Sequence, residues 1–409
     1  MDQEKNKTEV VGETNMATPT SEEQTKENNN KIIDDLISKI QKNDFTVYLF
    51  TPPMNMPSGG ISVLFKQAQL LRSLGMKTKI IYEPREDSKA SYEASLKTKK
   101  KTSVYEPFNP TWLGNLLDGI ELLPLGDGTL QFTDKTKVEA SPLTVNAEDF
   151  LIIPEGWPNI MEKTAQMPCK RIVLCQSWYY VLNSIPVGQK WQHFGIADVI
   201  SVSDGITQYL NAVMPGLHIK NYSQSIDRNI FKSIPNTRKV PKIAYTPGRS
   251  QESLLKTINV IKTFYAFYPQ YRWVRFDELK GLSKEDFAER LGESSIFLYT
   301  DDIAGFGTSP LEAMAMGTHV VGWTPLGGKE YMKENNGFWA TNGDIFQLAE
   351  LLGFAVEKLI NGELDAPDIT REYENTLDRY TEEKEKESIK QIFNQYKDER
   401  INQLISIKQ

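Results

Sequence analysis

Short apolar runs alternate along the chain with segments of helical spacing. In the first half, strands are predicted at Thr46-Val47-Tyr48-Leu49-Phe50, Thr78-Lys79-Ile80-Ile81-Tyr82, Asp149-Phe150-Leu151-Ile152-Ile153-Pro154 and Lys170-Arg171-Ile172-Val173-Leu174-Cys175, and in the run from Ile196 to Asp204. In the second half they fall at Lys242-Ile243-Ala244-Tyr245-Thr246, Tyr271-Arg272-Trp273-Val274-Arg275-Phe276, Ser295-Ile296-Phe297-Leu298-Tyr299 and Thr318-His319-Val320-Val321-Gly322-Trp323. Between them, Ile61, Leu64, Phe65, Ala68 and Leu71 share one helix face, as do Leu254, Ile258, Ile261 and Phe264. Residues 283–291 and 345–360 read as helices, and Tyr373 to Tyr396 as one long, charged helix. The recurring order of strand, loop, helix and strand predicts an α/β chain with parallel sheets.

The ends of the chain and one central stretch are less regular. Residues 1–30 are polar and lack aromatics, which predicts a disordered tail, with a helix over 31–41. Residues 87–104, with Lys97, Lys99, Lys100 and Lys101, read as a solvated loop, or alternatively as an electrostatic contact with an anionic acceptor or a membrane surface. Residues 120–125 and 129–132 are candidate short strands.

Two strand–loop–helix junctions carry the candidate chemistry. The first strand runs into Ser58-Gly59-Gly60 at a helix start. The strand ending at Tyr299 runs into Asp301-Asp302-Ile303-Ala304-Gly305-Phe306-Gly307-Thr308 and then a helix containing Glu312. Glycines let backbone approach a ligand, and a helix amino terminus favours an anion. Both loops lie at the carboxyl ends of strands, where open α/β sheets bind ligands.

The second junction resembles a family signature. Gly305-Phe306-Gly307 followed by Pro310-Leu311-Glu312-Ala313-Met314-Ala315-Met316-Gly317 is similar to the motif of retaining family-four glycosyltransferases with the GT-B fold. That motif has two glutamates eight positions apart. Glu312 matches the second, whereas Ala304 stands at the first. Pro154-Glu155 and Gln176 with Tyr179-Tyr180 resemble a rhamnosyltransferase-like branch. The resemblance implies two Rossmann-like domains facing a central cleft. Residues 31–225 would form the acceptor side, 226–241 a hinge and 242–370 the donor side, with 371–409 a helix crossing back to the first domain.

The implied reaction is sugar transfer from a nucleotide sugar to a glycan, lipid-linked or protein acceptor, in surface polysaccharide or glycoconjugate synthesis. The implied donor residues are Gly59, Gly60, Arg249, Gly305, Phe306, Gly307, Thr308 and Glu312, with Lys256 further along its helix and on a doubtful face. Asp302 and Gln176 are the catalytic candidates, Asp302 or Asp301 supplying the charge that Ala304 lacks. Glu155, Trp178 and Tyr179 would line the acceptor or sugar pocket, although aromatics at a strand end are as often core. A hexose or a deoxyhexose would fit the donor. The alternative is a catalytically inactive relative that binds or scaffolds another glycosyltransferase.

Composition narrows the rest. The 409 residues suffice for two domains, and 39% hydrophobic and 25% charged residues are those of a soluble globular chain. A net charge of −7 gives no global attraction to nucleic acid. Cys169 and Cys175 form no disulfide framework, and the three histidines have no metal-ligand company, so no metal or cofactor is expected beyond the donor substrate. No secretory signal or spanning segment is read in the sequence, so the cytoplasm is the expected compartment, with peripheral membrane contact through the four lysines as the variant reading.

Overall fold

A computed structural model describes residues 21–233, 240–248, 250–364 and 367–408. The chain opens with α1 (Ser21–Gln41), β1 (Thr46–Phe50), α2 (Gly59–Ser73), β2 (Lys77–Tyr82) and α3 (Ser88–Thr98). Then come β3 (Val104–Tyr105), β4 (Glu121–Pro124), β5 (Gly128–Phe132), β6 (Lys137–Ala140) and β7 (Phe150–Pro154). α4 (Pro158–Lys163), β8 (Lys170–Cys175), α5 (Trp178–Asn183), β9 (Asp198–Ser201), α6 (Asp204–Val213) and β10 (His218–Asn221) complete the first half. The second half has β11 (Val240–Tyr245), α7 (Gln251–Phe267), β12 (Arg275–Glu278), α8 (Lys284–Gly292), β13 (Ser294–Tyr299) and α9 (Thr308–Ala315). It ends with β14 (His319–Thr324), β15 (Phe338–Thr341), α10 (Ile345–Ile360), α11 (Pro367–Leu377) and α12 (Glu382–Lys408).

The strands build two parallel Rossmann-like sheets and a small β3-β5-β6 flap. The larger sheet has the order β10-β9-β8-β7-β1-β2-β4, the other β12-β11-β13-β14-β15. Every pairing in both is parallel. The central strands β7 and β13 are buried along their whole length, as helices on both faces require. Strand order reverses between β1 and β7 in the first sheet and between β11 and β13 in the second. Those two switch points, at the strands' carboxyl ends, are where such sheets open a crevice.

α12 ties the tail of the chain to the first sheet. Its Glu385 is 2% exposed and receives the Lys66 ammonium at 2.6 Å, the Ser225 hydroxyl at 2.6 Å and the Tyr222 hydroxyl. Further along, Glu399 pairs with Lys170 and Lys220, whose ammonium groups lie over the Tyr396 ring. Arg400 donates to the Ala147 and Pro168 carbonyls. A buried carboxylate is tolerable only when so fully partnered.

Several elements differ from the sequence expectation. The first helix begins at Ser21, not residue 31, because Ile33 and Ile40 dock on Leu404 and the polar segment before them continues the helix. Residues 1–20 of the expected tail, and 234–239 of the expected hinge, lie outside the described residues. Residues 88–98 are a helix, not a loop. Asp87 caps it by accepting from the Lys89 and Ala90 amides, and Ser91 anchors it to the Val104 backbone. The long terminal helix is two helices, broken between Leu377 and Glu382, where the Thr381 hydroxyl accepts from the Lys384 amide. β12 starts four residues later than expected because Pro269 and Tyr271 belong to a 3-10 turn. The edge strand β10 is absent from the sequence expectation.

Candidate active site

The loop after β13 is shaped by close packing. Gly307 caps α9 with φ of +78°, and a Cβ there would press on the Tyr299 hydroxyl. Only glycine takes that conformation without strain. Tyr331 donates to the Gly307 carbonyl, and Phe306 is buried against Tyr331 and Tyr380. α9 has no side-chain cap, so the amides of its first turn, beginning at Thr308, are left for a ligand. α2 also lacks a side-chain cap, and Gly59 and Gly60 at its start are exposed.

The two halves of the chain meet at this loop. A side chain on Gly305 would collide with the Gln176 carbonyl, so only glycine permits the approach. Ser203 Oγ donates to the Gly305 carbonyl at 2.8 Å. Gly205 and Gly327 are equally confined, by the Leu326 and Gly305 carbonyls respectively. Glu330, on the turn after Gly327-Gly328, reaches the Asp204 amide at the start of α6. Burial first, and then repulsion from Asp204, raise the Glu330 pKa above the usual carboxylate range.

Glu312 sits on α9 just behind the loop. Part of its side chain is still accessible, yet the surrounding protein pushes its carboxyl up to about 7. Desolvation is the main cause, opposed by Lys284 on α8 and by Lys66 on α2, one cation from each half. Asp302 is held by Lys256, whose ammonium is 2.6 Å from its Oδ2. Among the described residues its buried Oδ1 has no hydrogen-bond partner. Lys256 therefore does face the loop, contrary to the expectation for it. It lies on the side of α7 turned toward 301–302 and bridges Asp302 to Glu252. Ala304 is fully buried under the Gly327 turn, so no carboxylate lines the site at that position.

On the facing sheet, the Gln176 amide donates to the Gly60 carbonyl at 3.0 Å and joins the loops after β1 and β8. Glu155 is buried at the end of β7, close enough to Cys175 to raise the thiol pKa further. Trp178 packs edge-on against Tyr179 and Tyr209, while Tyr179 and Tyr180 stay exposed. Arg249 lies outside the described residues. Among the described residues, no group of three or more His, Cys, Asp or Glu side chains is placed to hold a metal ion, and no helix is long and apolar enough to cross a membrane.

Residues 275–376, which contain this loop and Glu312, match the family of glycosyl transferases group 1. The chain is a glycosyltransferase with the GT-B fold. A relative described as alpha-1,6-glucosyltransferase, from Actinobacillus pleuropneumoniae serotype 7, is 24% identical over 235 residues, which are 54% of this chain and 67% of the relative. Sucrose-phosphate synthase from Thermosynechococcus elongatus shares the fold with a TM-score of 0.57 at 12% identity, covering 86% of this chain and 99% of its own. Anabaena HepE, solved with UDP-glucose, gives 0.56 at 12% identity over 86% of this chain and all of its own. In the glycosyltransferase described here, the contacts to the 301–307 loop that sequence reasoning missed are those of Ser203 and Tyr331, and Lys256, named there on a doubtful face, proves to be turned toward the loop. Each is brought in from a different element, by packing that no local spacing reports.

Proposed function

We propose that this glycosyltransferase moves a hexose or deoxyhexose, with retention, from a nucleoside diphosphate sugar to a hydroxyl of a glycan or lipid-linked acceptor in surface polysaccharide or glycoconjugate synthesis. The observation that carries the reading is the loop at 301–307, packed on Gln176 with Glu312 behind it and an uncapped helix start on either side. A diphosphate between α2 and α9 would receive amides from both helix starts. The Glu312 carboxylate would accept from the ribose hydroxyls. Asp302 Oδ1 would accept from a sugar hydroxyl, Lys256 holding its partner oxygen. The bond from the sugar's anomeric carbon to the diphosphate breaks, the bond to the acceptor oxygen forms on the same face, and the acceptor's proton leaves with the diphosphate. Fixed amides and lysines neutralise that diphosphate, so the reaction would need no metal.

UDP-hexoses are the first donors to try. HepE was solved with UDP-glucose, S. aureus TarM with UDP, and the matched relative is described as a glucosyltransferase. On the acceptor side, Met54, Met56, Tyr179, Tyr180 and Leu182 are exposed on the loops and helix that follow β1 and β8. Tyr92 and Leu96 are exposed on α3 beside Lys97, Lys99, Lys100 and Lys101. Apolar and cationic groups together fit a lipid-linked acceptor at an anionic surface. Ala304 is the one residue that favours a binding partner without turnover. Incubation of UDP-glucose and other nucleotide sugars with lipid-linked and free glycan acceptors, with the anomeric product read by NMR, decides it. Product of retained configuration is the expected result, and donor binding without hydrolysis or transfer selects the inactive reading.

A further inference from the structure

On the outer edge of the second sheet, α7 and β12 border an open groove of about 560 Å³. Its floor is apolar and aromatic, formed by Tyr245, Ile258, Ile261, Tyr265, Val274 and Phe276. Lys262, Arg272 and Arg275 complete it, and all three are exposed. Tyr245 is in register with Glu278 and Lys242 with Arg275, so the groove follows the edge strand for about 10 Å.

Two features separate this place from ordinary surface. First, none of its three cations has a hydrogen-bond or ion-pair partner among the described residues. Several other basic side chains of the second half are engaged: Lys242 with Asp277 and Glu293, Lys256 with Asp302, Lys284 with Asp227, and Arg290 with Asp277. In a chain of net charge −7, three exposed cations without a partner among the described residues make a local attraction for anions, with Glu278, which accepts from the Tyr245 hydroxyl, as the carboxylate at one end. Second, the aromatic floor is rigid. The Tyr265 hydroxyl donates to the Val274 carbonyl at 2.7 Å, and Phe276 meets both Tyr265 and Tyr245 edge-on. A floor already ordered loses little entropy when a ligand is laid on it.

We infer that this groove is an accessory binding site for an anionic glycan chain, one whose sugars carry carboxylate or phosphate groups. The guanidinium fork at Arg272 matches either anion with paired hydrogen bonds, and Lys262 and, from the edge of β12, Arg275 add positive charge. The rings of Tyr245, Tyr265 and Phe276 offer flat apolar surface to the faces of sugar rings. The groove is open along its length, so a polymer can lie in it without threading. The inference rests on the glycan-acceptor reading and adds that the acceptor or product is acidic. A chain held here while its end occupies the cleft raises the local acceptor concentration.

The test is calorimetric titration of the full chain with an oligogalacturonate and with an oligomeric glycerol phosphate, against a neutral dextran fragment of equal length and single-stranded DNA of equal charge. The same titrations are run on the triple variant K262A/R272A/R275A. The expected result is binding of at least one anionic oligomer, weakened about tenfold or more in the variant, with no dextran binding and weaker DNA binding. The variant's melting temperature and its affinity for UDP and UDP-sugars in the cleft should be unchanged. The inference is overturned if neither anionic oligomer binds the wild-type chain, if the variant binds them as well, or if DNA of equal charge binds as tightly. Failure of transfer with intact oligomer binding would count against the reaction and leave the groove standing, so the two failures are distinguishable.

Discussion

At the carboxyl end of β13 the loop is clamped from several directions, whereas at the carboxyl end of β1 it is open. Gly305 and Gly307 are pressed against Gln176 and Tyr299, and Tyr331, Ser203 and Lys256 fix the backbone and Asp302 around them. The loop before α2 is held by the Thr51 amide on the Ile81 carbonyl, the Gln176 bond at Gly60 and the ties of Asn55 and Trp112 near Met54, while Met54, Met56, Gly59 and Gly60 remain exposed. Both are strand-to-helix loops facing the same cleft, one next to each sheet's switch point. The difference fits a donor that must be held identically at each turnover and an acceptor that varies in length and must enter and leave.

The strongest way to break that contrast is Gly305→Val. Its side chain would strike the Gln176 carbonyl and hold the two halves apart. Steady-state kinetics should show kcat/KM lowered about 100-fold or more, since misplacement of about an ångström costs that much. Thermal unfolding should show a smaller loss, about 1–3 kcal/mol, the usual cost of overpacking. Next is Glu312→Ala, expected to weaken donor binding about 10- to 100-fold, the worth of hydrogen bonds to a charged group.

Glu312 also carries a pH signature. Its folded pKa is about 7 and its unfolded reference 4.5, so between these values the folded chain binds more protons than the unfolded one. This group's contribution therefore disfavours folding increasingly as pH rises from about 4.5 to about 7. Glu312→Gln should melt progressively higher than wild type across that window. If the carboxylate accepts from the ribose, donor binding near pH 7 should release up to about half a proton from wild type and none from the variant. Calorimetry in buffers of different ionisation enthalpy reads that difference.

A smaller effect is expected for Lys256→Met. Asp302 would lose its ion pair while half the pair stays buried, but the lysine is partly exposed, so the cost is about 1–2 kcal/mol and roughly tenfold in donor affinity. Smallest is the double change of Met56 and Tyr179 to Ser. It should raise the acceptor KM about threefold, from the lost apolar contact, and leave donor affinity unchanged. A comparable change in donor affinity would erase the distinction between the loops.

The parts of this site legible in the sequence are those that local pattern controls. Strands β1, β7, β8, β13 and β14 are each built around a short apolar run, and Gly305, Gly307 and Glu312 sit at fixed offsets between two of them. What was not legible depends on contacts across sequence. Lys256 turns toward the loop because α7 is docked by Val260 and Phe264 on the sheet, which sets the rotation of the helix. α1 reaches back to Ser21 because α12, more than 340 residues later, offers Leu404 as a partner. The break before Glu382 was missed because the charged pattern continues through it, and only the Thr381 cap and the burial of Tyr380 mark the stop.

The most direct test of the central claim, that the second half holds a nucleotide sugar at Glu312, is thermal stabilisation by nucleoside diphosphates and their sugars, with and without magnesium. A ligand bound only by the native state raises the melting temperature by mass action. The prediction is a shift with UDP and a UDP-sugar, independent of magnesium and lost in Glu312→Ala. No shift with any nucleotide, or an equal shift in wild type and variant, would contradict it.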